Sequence, residues 1–209
     1  MNLIFLGPPG TGKGTQAERI SAELNIAHIS TGEMFRQLAN EGNSLGVEAR
    51  DKYWGKGNLV PDDITIGLVQ ERLKKEDCKN GFILDGFPRT IPQAEALEKI
   101  IKINYVIDIE STDAVIIKRL TSRRQCQNCK KIYGIDVPPK EEGICDICKG
   151  KLFQRDDDRE SVIMERLNVY NKQTKPLIEF YKSRGLLRIV NGENPIEQIK
   201  ADILEIAQK

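Results

Sequence analysis

The sequence predicts a three-layer α/β fold, in which helices cover both faces of a central parallel sheet. Short apolar runs such as 2–6 and 82–84 have the length and composition of strands that are buried on both faces. These runs alternate with helical patterns along most of the chain, which is typical of a parallel sheet. A chain of 209 residues can bury a core of its own, and we expect one domain with insertions.

The charge balance argues against a general attraction to polyanions. The chain has 32 Lys and Arg against 31 Asp and Glu, a formal net charge of +1. No global field therefore favours nucleic acid or a membrane surface, and basic residues must act locally. No apolar stretch approaches the length of a membrane span, and the N-terminal run lacks the basic start of a signal peptide. We expect a cytoplasmic monomer without nucleic-acid or membrane partners.

A phosphate-binding loop follows the first strand. Residues 7–13 fit the motif G-x-x-x-x-G-K between an apolar strand and an amphipathic helix. Glycine lets successive backbone N–H groups curl around a polyphosphate, and Lys13 and the N-terminal end of the helix add positive charge. Gly14 stands where the general motif has Ser or Thr, so Thr15 becomes the candidate hydroxyl for magnesium. The alternative is a Gly/Pro-rich turn that binds nothing.

The next predicted elements are a strand over 26–29 and a helix that Ser30 or Thr31 caps. His28 is the only histidine, and its place on an apolar strand favours packing over catalysis. Two short helices should follow, and Pro61 with two acidic residues begins another helix.

A second polar centre follows the strand at 82–84. Asp85 comes at its carboxyl end, where open parallel sheets place their ligands, so it can hold magnesium directly or through water. Arg89 follows a turn made by Gly86 and Pro88, and its guanidinium suits bidentate contact with phosphate oxygens. The alternative for either residue is an ordinary surface charge.

The rest of the chain continues the alternation of strands and helices. The predicted elements are a strand over 104–109, a helix around 115–120, a long helix over 161–184 that is bent or stepped near Pro176, a buried strand over 186–190 and an amphipathic helix over 195–208.

Four cysteines give the clearest metal signal. Cys126, Cys129, Cys145 and Cys148 form C-x2-C-x15-C-x2-C, the spacing of four-thiolate zinc sites. Such a set leaves no open coordination position, so the metal would be structural. Disulfides are disfavoured in the cytoplasm, and sequence does not separate zinc from iron. Cys78 stands apart from the four, and we expect it to be a buried or neutral thiol.

Together these motifs resemble those of adenylate kinases. The resemblance rests on residues 7–15, 30–32 with Arg36, and 85–89 with Gln93, and it extends over essentially the whole chain. It implies a P-loop kinase fold and a phosphotransferase that moves the terminal phosphoryl group of MgATP to AMP, reversibly, giving two ADP. The four-cysteine segment resembles the zinc-bearing lid of the longer adenylate kinases. Such an enzyme serves adenine nucleotide homeostasis.

The resemblance also implies site residues. For ATP they are Gly10, Thr11, Gly12, Lys13, Gly14, Thr15, Arg119, Arg123, Ile132, Tyr133 and Asn194. For AMP they are Thr31, Arg36, Asn58, Leu59, Val60, Gly86, Phe87, Pro88, Arg89, Gln93, Arg155 and Arg166, with Gln93 facing the adenine. The catalytic set is Lys13, Asp85, Arg89, Arg123, Arg155 and Arg166, and the expected role of Asp157 and Asp158 is to orient the arginines or the lid hinge.

The expected organisation is a core of 1–29, 61–122 and 161–209, an AMP-binding insertion of 30–60 and a zinc-bearing lid of 123–160. Closure of the two insertions over the nucleotides would exclude water from the transferred phosphoryl group.

Two alternatives remain open. One is a kinase for another monophosphate such as UMP or CMP; Gln93, Thr31 and the predicted lid favour adenine. The other is a nucleotide-gated protein whose zinc knuckles bind RNA without catalysing transfer. The basic residues of that segment are matched by acidic ones, which does not favour nucleic acid.

Overall fold

The structure is a computed structural model that describes residues 1–208, so Lys209, the last residue of the predicted core, lies outside the described residues. In the described part of the chain, five strands form a parallel sheet in the order β2-β3-β1-β4-β8, and three form a small antiparallel sheet in the order β6-β5-β7. The strands are β1 (Asn2–Leu6), β2 (Ala27–Ser30), β3 (Phe82–Asp85), β4 (Tyr105–Glu110), β5 (Arg124–Cys126), β6 (Ile132–Tyr133), β7 (Leu152–Phe153) and β8 (Leu187–Asn191).

Most of the α-helices lie between strands of the parallel sheet, and the last one follows β8. They are α1 (Lys13–Leu24), α2 (Thr31–Asn40), α3 (Ser44–Lys52), α4 (Asp62–Leu73), α5 (Ile91–Glu98), α6 (Asp113–Ser122), α7 (Glu160–Val169), α8 (Pro176–Lys182) and α9 (Ile196–Ala207). Short 3-10 helices cover Trp54–Lys56, Glu76–Cys78 and Asp156–Asp158. No helix formed by residues 1–208 combines the length and the apolar character that crossing a membrane requires.

The predicted three-layer arrangement is confirmed by the way β1 divides its side chains. Leu3 and Phe5 pack on one face of the sheet, in a cluster that includes side chains from α1 and α9. Ile4 and Leu6 pack on the other face, against side chains from α4, α5 and α8. Because successive side chains of a strand point to opposite faces, one apolar strand supports two helical layers.

Strand register brings the polar ends of the strands together. Phe5 pairs with Asp85 across β1 and β3, and Ser30 pairs with Asp85 across β2 and β3. Leu6 pairs with Asp108 across β1 and β4. The loop after β1 therefore shares one edge of the sheet with the carboxyl ends of its neighbours, as open parallel sheets with a binding crevice do.

The predicted long C-terminal helix is divided into two. A π-helical turn over Tyr170–Thr174 separates α7 from α8. Pro176 lacks a backbone N–H and its ring disfavours a regular turn before it, so the wide turn lies just ahead of the proline. The expected step in this helix is therefore present as a π-helical turn, which begins several residues before the proline.

The prediction of a buried last strand is wrong. β8 lies at the edge of the sheet and pairs with β4 alone. Its Arg188 and Asn191 are exposed, as is Ile189, and Val190 alone in this strand is buried. An edge strand has one side without a paired neighbour, so its apolar residues need not all be core.

The expected capping of α2 by a hydroxyl is also wrong. Ser30 occupies the N-cap position but its side chain makes no capping hydrogen bond. The Thr31 hydroxyl instead donates to the carbonyl oxygen of Gly86, 2.8 Å away. This long-range bond connects the start of α2 to the loop after β3.

Candidate active site

A cleft of about 570 Å³ opens at the carboxyl edge of the parallel sheet. The loop after β1, the loop after β3, segment 30–60 and segment 123–160 all contribute to its walls. Every residue predicted to contact a nucleotide lines this cleft except Phe87 and Asn194. Phe87 is buried in the core, and the side chain of Asn194 accepts a hydrogen bond from Asn191.

The backbone of the phosphate-binding loop requires glycine at specific positions. Gly7 has φ +128° and Gly10 has φ +90°, both in the region that residues with a Cβ rarely adopt. A Cβ on Gly7 would lie 2.3 Å from the carbonyl oxygen of Ile109. At Gly14 an added Cβ would lie 3.3 Å from Asp85 Oδ2, so the departure from Ser or Thr here leaves room for a carboxylate.

Lys13 is the first residue of α1 and its ammonium group is held inside the loop. Nζ donates to the carbonyl oxygens of Gly7, at 2.7 Å, and Pro8, at 2.6 Å. Burial lowers the pKa of Lys13 to about 8, although the charges of Asp85 and Asp108 oppose that change. Lys13 therefore loses its charge at a lower pH than an ordinary lysine does.

Asp85 faces the cleft from the end of β3. Burial opposes its ionisation, but the neighbouring His28, Lys13 and Arg89 outweigh burial and hold the pKa of Asp85 below its usual value. His28 Nε2 lies 3.7 Å from Asp85 Oδ2. His28, predicted as a packing residue, therefore lines the cleft, which its apolar strand did not indicate.

Two arginines converge on one buried carboxylate. Asp158, which is fully buried, accepts two hydrogen bonds from Arg123, at 2.7 and 2.5 Å, and one from Arg166 Nη1 at 2.9 Å. Asp157 Oδ2 lies 3.2 Å from Arg166 Nη1. Burial opposes ionisation of Asp157, but Arg166 and Arg36 outweigh it and hold the pKa of this carboxyl well below its usual range. The two aspartates are thus the ion-pair partners of these guanidinium groups at the cleft.

Glu33 is a site residue that the sequence analysis missed. Its carboxylate accepts hydrogen bonds from Arg36, at 2.7 Å, and Arg155, at 2.6 Å, with a longer contact of 3.4 Å to Gln125. Burial opposes its ionisation, but Arg36 and Arg155 lower the pKa of Glu33. The i, i+3 spacing of Glu33 and Arg36 on α2 was a visible signal of this pairing.

Two further arginines of the cleft, Arg89 and Arg119, have backbone partners. Arg89 Nε donates to the carbonyl oxygen of Gly86 at 2.8 Å. Arg119 donates to the carbonyl oxygen of Gly192 at 2.8 Å and to Asp136 at 2.7 Å. Because Asp136 belongs to segment 123–160, Arg119 connects that segment to α6.

The four predicted metal-ligating cysteines converge on one point. All of their Sγ atoms lie within 4.8 Å of one another. The Sγ atoms of Cys126 and Cys148 are 3.4 Å apart, and those of Cys129 and Cys145 are 3.5 Å apart. None of the five cysteines forms a disulfide bond in the structure. A tetrahedral site with Zn–S bonds of about 2.3 Å places its sulfur atoms about 3.8 Å apart, so this cluster has the size of a four-thiolate site.

Known proteins resemble this chain along its full length. The profile of the adenylate kinase family matches residues 5–186. An adenylate kinase from Geobacillus sp. (strain WCH70) is 51% identical over 212 residues, covering 99% of this chain and 98% of the relative. Relatives of the same name from Archaeoglobus fulgidus and Thermosipho africanus are 49% and 47% identical over 215 residues each, covering 100% of this chain and 99% and 100% of the relatives.

Proposed function

The chain belongs to the adenylate kinase family and is an enzyme that transfers a phosphoryl group between ATP and AMP, and we propose that the cleft described above is where it does so. One observation carries this assignment. Lys13, Asp85 and arginines from several separate elements line a single cleft at the carboxyl edge of the sheet. A phosphoryl group in transfer carries charge on its equatorial oxygens, so fixed cations around one point are the main requirement of the reaction.

ATP occupies the part of the cleft next to α1. The backbone N–H groups of residues 10–15 bind its phosphates, and Lys13 places its charge near the outer ones. Arg123 and Arg119 reach the same phosphates, and the base lies near 132–133 and the backbone of Asn194. The closeness of Arg119 to the carbonyl oxygen of Gly192, two residues before Asn194, supports this arrangement.

Adenylate kinases use magnesium with ATP, where the ion neutralises charge on the phosphates. The Thr15 hydroxyl and Asp85 would hold it in this chain. An ionised, half-buried carboxylate at the mouth of a phosphate loop is a suitable oxygen donor for this ion.

AMP occupies the part of the cleft formed by segment 30–60 and the loop after β3. Arg36, Arg89, Arg155 and Arg166 bind its phosphate, and Gln93 faces its base. The AMP phosphate is itself the nucleophile, and since the second pKa of a phosphate monoester is about 6 it is already anionic near neutral pH. No side chain has to act as a general base. The further residues on this side are Thr31, Asn58, Leu59, Val60, Gly86, Phe87 and Pro88.

Segments 30–60 and 123–160 serve as insertions that close over the two nucleotides, and the remainder of the chain is the core. The ion pair that joins Glu33 to Arg155 supports this division, because it holds the two segments together over the cleft. Closure excludes water, which would otherwise compete with AMP for the phosphoryl group.

Cys126, Cys129, Cys145 and Cys148 would hold a structural zinc ion, which would keep segment 123–160 together. The set is four thiolates with no open position, which is the donor chemistry of structural zinc. Metal analysis of the purified protein tests this proposal. We expect one zinc ion per chain, and iron in its place would overturn the assignment of zinc. Cysteines without disulfide bonds fit a reducing compartment, and we place the protein in the cytoplasm. We also propose that it is a monomer, because a single chain supplies all the residues of the cleft.

The test of the function is ADP formation from MgATP with AMP, UMP, CMP or GMP offered separately. We expect strong turnover with AMP alone. Turnover with UMP or CMP would overturn the role of Gln93, and absence of transfer by metal-loaded protein would overturn the assignment of the cleft. The names of the relatives do not favour the UMP, CMP or RNA-binding alternatives.

A further inference from the structure

The side-chain amide of Gln93 lies between two groups that hydrogen-bond in one direction only. Its Oε1 accepts from the backbone N–H of Arg89 at 2.7 Å, and its Nε2 donates to Asp62 Oδ1 at 2.7 Å. A backbone N–H can only donate, and an ionised carboxylate can only accept. The amide oxygen must therefore face Arg89 and the amide nitrogen must face Asp62.

Asp62 is itself held in place. It is the first residue of α4, and its Oδ2 accepts a hydrogen bond of 2.9 Å from the Thr90 hydroxyl. Thr90 is the N-cap of α5 and its hydroxyl oxygen also accepts from the backbone N–H of Gln93, at 3.3 Å. The starts of α4 and α5 are thus joined through a network that leaves little freedom to Gln93, which is 2% exposed.

The polarity of this amide decides which base edge it can bind. Gln93 lines the cleft, and it retains one N–H at the Asp62 side and one oxygen lone pair at the Arg89 side. Adenine offers an exocyclic N–H donor beside a ring nitrogen acceptor. Hypoxanthine and guanine offer a carbonyl acceptor beside a ring N–H donor, which is the reverse pattern. A freely rotating amide could match either pattern, but a fixed amide matches one of them.

We propose that Asp62 is a positioning residue for acceptor specificity: its carboxylate fixes the orientation of the Gln93 amide so that the cleft takes the 6-amino purine and rejects the 6-oxo purine. This inference rests on the proposed function, in which Gln93 faces the base of AMP. A site with a fixed donor and acceptor discriminates strongly because the wrong base leaves buried polar groups unpaired.

The test compares AMP with inosine monophosphate as acceptors in Asp62→Asn. Asparagine keeps the shape of the side chain but can donate as well as accept, so Arg89 alone still orients the amide. We expect the ratio of kcat/KM for AMP to kcat/KM for inosine monophosphate to fall about tenfold, the effect of one charge-assisted hydrogen bond. The change should lie in the KM for AMP, with kcat and the KM for ATP retained.

The matched control is Asp63→Asn. Asp63 is the next residue of α4 and is exposed. Its substitution removes the same charge from the first turn of α4 without changing a contact of Gln93. We expect its acceptor ratio to equal that of the wild type. An equal loss for both acceptors in Asp62→Asn would show a general structural role and overturn the proposal, as would an unchanged ratio.

A second pair of variants keeps the test independent of the folding of Asp62→Asn. Thr90→Val removes the hydroxyl that holds Asp62 and should shift the ratio in the same direction, whereas Thr90→Ser keeps the hydroxyl and should restore it. Binding is followed separately by the fluorescence of Trp54, the only tryptophan, which lines the cleft. Wild-type protein that binds AMP but does not discriminate against inosine monophosphate overturns this inference alone; absence of AMP binding overturns the proposed function as well.

Discussion

Glu33 Oε1 and Arg155 Nη2 form an ion pair of 2.6 Å across the cleft, although the residues are 122 positions apart in the sequence. Glu33 lies on α2 and Arg155 follows β7, so this contact joins segment 30–60 to segment 123–160. The same carboxylate also pairs with Arg36. One side chain therefore neutralises two of the cations that we assign to the phosphate of AMP.

Replacing Glu33 with Gln should strengthen the binding of AMP. The substitution removes a negative charge from a place next to the incoming phosphate and leaves Arg36 and Arg155 free to pair with it. We expect the Kd for AMP to fall about threefold to fivefold, the size of one partly exposed ion pair. Trp54 fluorescence and the KM for AMP are the measurements.

The control for that change is Glu48→Gln. Glu48 lies on α3 of the same segment and pairs with Lys52 on the surface. Its substitution changes the net charge by the same amount, but at a place away from the cleft. Its Kd for AMP should not move. A higher Kd for AMP in Glu33→Gln would contradict the prediction, because it would mean that Glu33 supports the arginines instead of competing for them.

Replacing Asp158 with Ala should reduce both stability and turnover. Asp158 is fully buried and is the shared partner of Arg123 and Arg166, so its loss leaves two largely buried cations, 17% and 18% exposed, without this counterion. Breaking a buried ion pair costs about 3–5 kcal/mol of the free energy of unfolding. Since both arginines are assigned to the phosphoryl groups, we expect kcat to fall by about 100-fold or more.

Asp156→Ala is the matched control for this residue. Asp156 lies on the same 3-10 helix but pairs with the exposed Arg159. Asp156→Ala should have little effect on the midpoint of urea unfolding or on turnover. Unchanged turnover in Asp158→Ala would overturn the orienting role of this aspartate.

The activity should fall at alkaline pH because of Lys13. Its pKa of about 8 in the free enzyme lies below the ordinary value of 10.5, so its charge is present below pH 8 and is lost as the pH rises above it. We expect kcat/KM for ATP to fall about tenfold between pH 7 and pH 9. Bound phosphates favour the charged form, so kcat at saturating MgATP should persist to higher pH.

The variant Lys13→Arg tests whether Lys13 causes the fall in kcat/KM for ATP at alkaline pH. Arginine does not deprotonate in this range, so the alkaline fall in kcat/KM for ATP should disappear whatever the rate of the variant. A wild-type profile that stays level to pH 9.5 would contradict the prediction. A fall at alkaline pH that persists in Lys13→Arg would assign that fall to another group.

The sequence predicted those parts of the site that local pattern determines. Residues 7–13 follow a strand and precede a helix, so their conformation depends on neighbours in the sequence, and Asp85 is placed by the end of its own strand. The four cysteines converge because thiol spacing itself restricts the geometry.

Side chains whose partners are distant in sequence could not be predicted in this way. Glu33 and Arg155 meet through the packing of two separate segments, and Thr31 bonds Gly86 instead of capping its own helix. His28 lines the cleft because β2 pairs with β3 beside Asp85. These contacts depend on strand order and segment closure, which periodicity along the chain does not contain.

Replacing Cys145 with Ser should release the metal and loosen segment 123–160. Cys145 is fully buried among the four thiols, where a serine hydroxyl is a much poorer ligand for zinc. We expect loss of the bound metal, a lower melting temperature and a kcat reduced about tenfold or more, because Arg123 and Arg155 lose their support. Binding of AMP, followed by Trp54, should weaken less than turnover, since most of its proposed contacts lie outside that segment.

Cys78→Ser separates this effect from the loss of any thiol. Cys78 is buried beside Arg72 and Asp77, in the core layer on the other side of the parallel sheet from α1, and it is not part of the four-cysteine cluster. This variant should keep one metal per chain and its turnover, with at most a modest change in melting temperature. Full metal content in Cys145→Ser would contradict the four-thiolate site, because a tetrahedral structural metal depends on every one of its ligands.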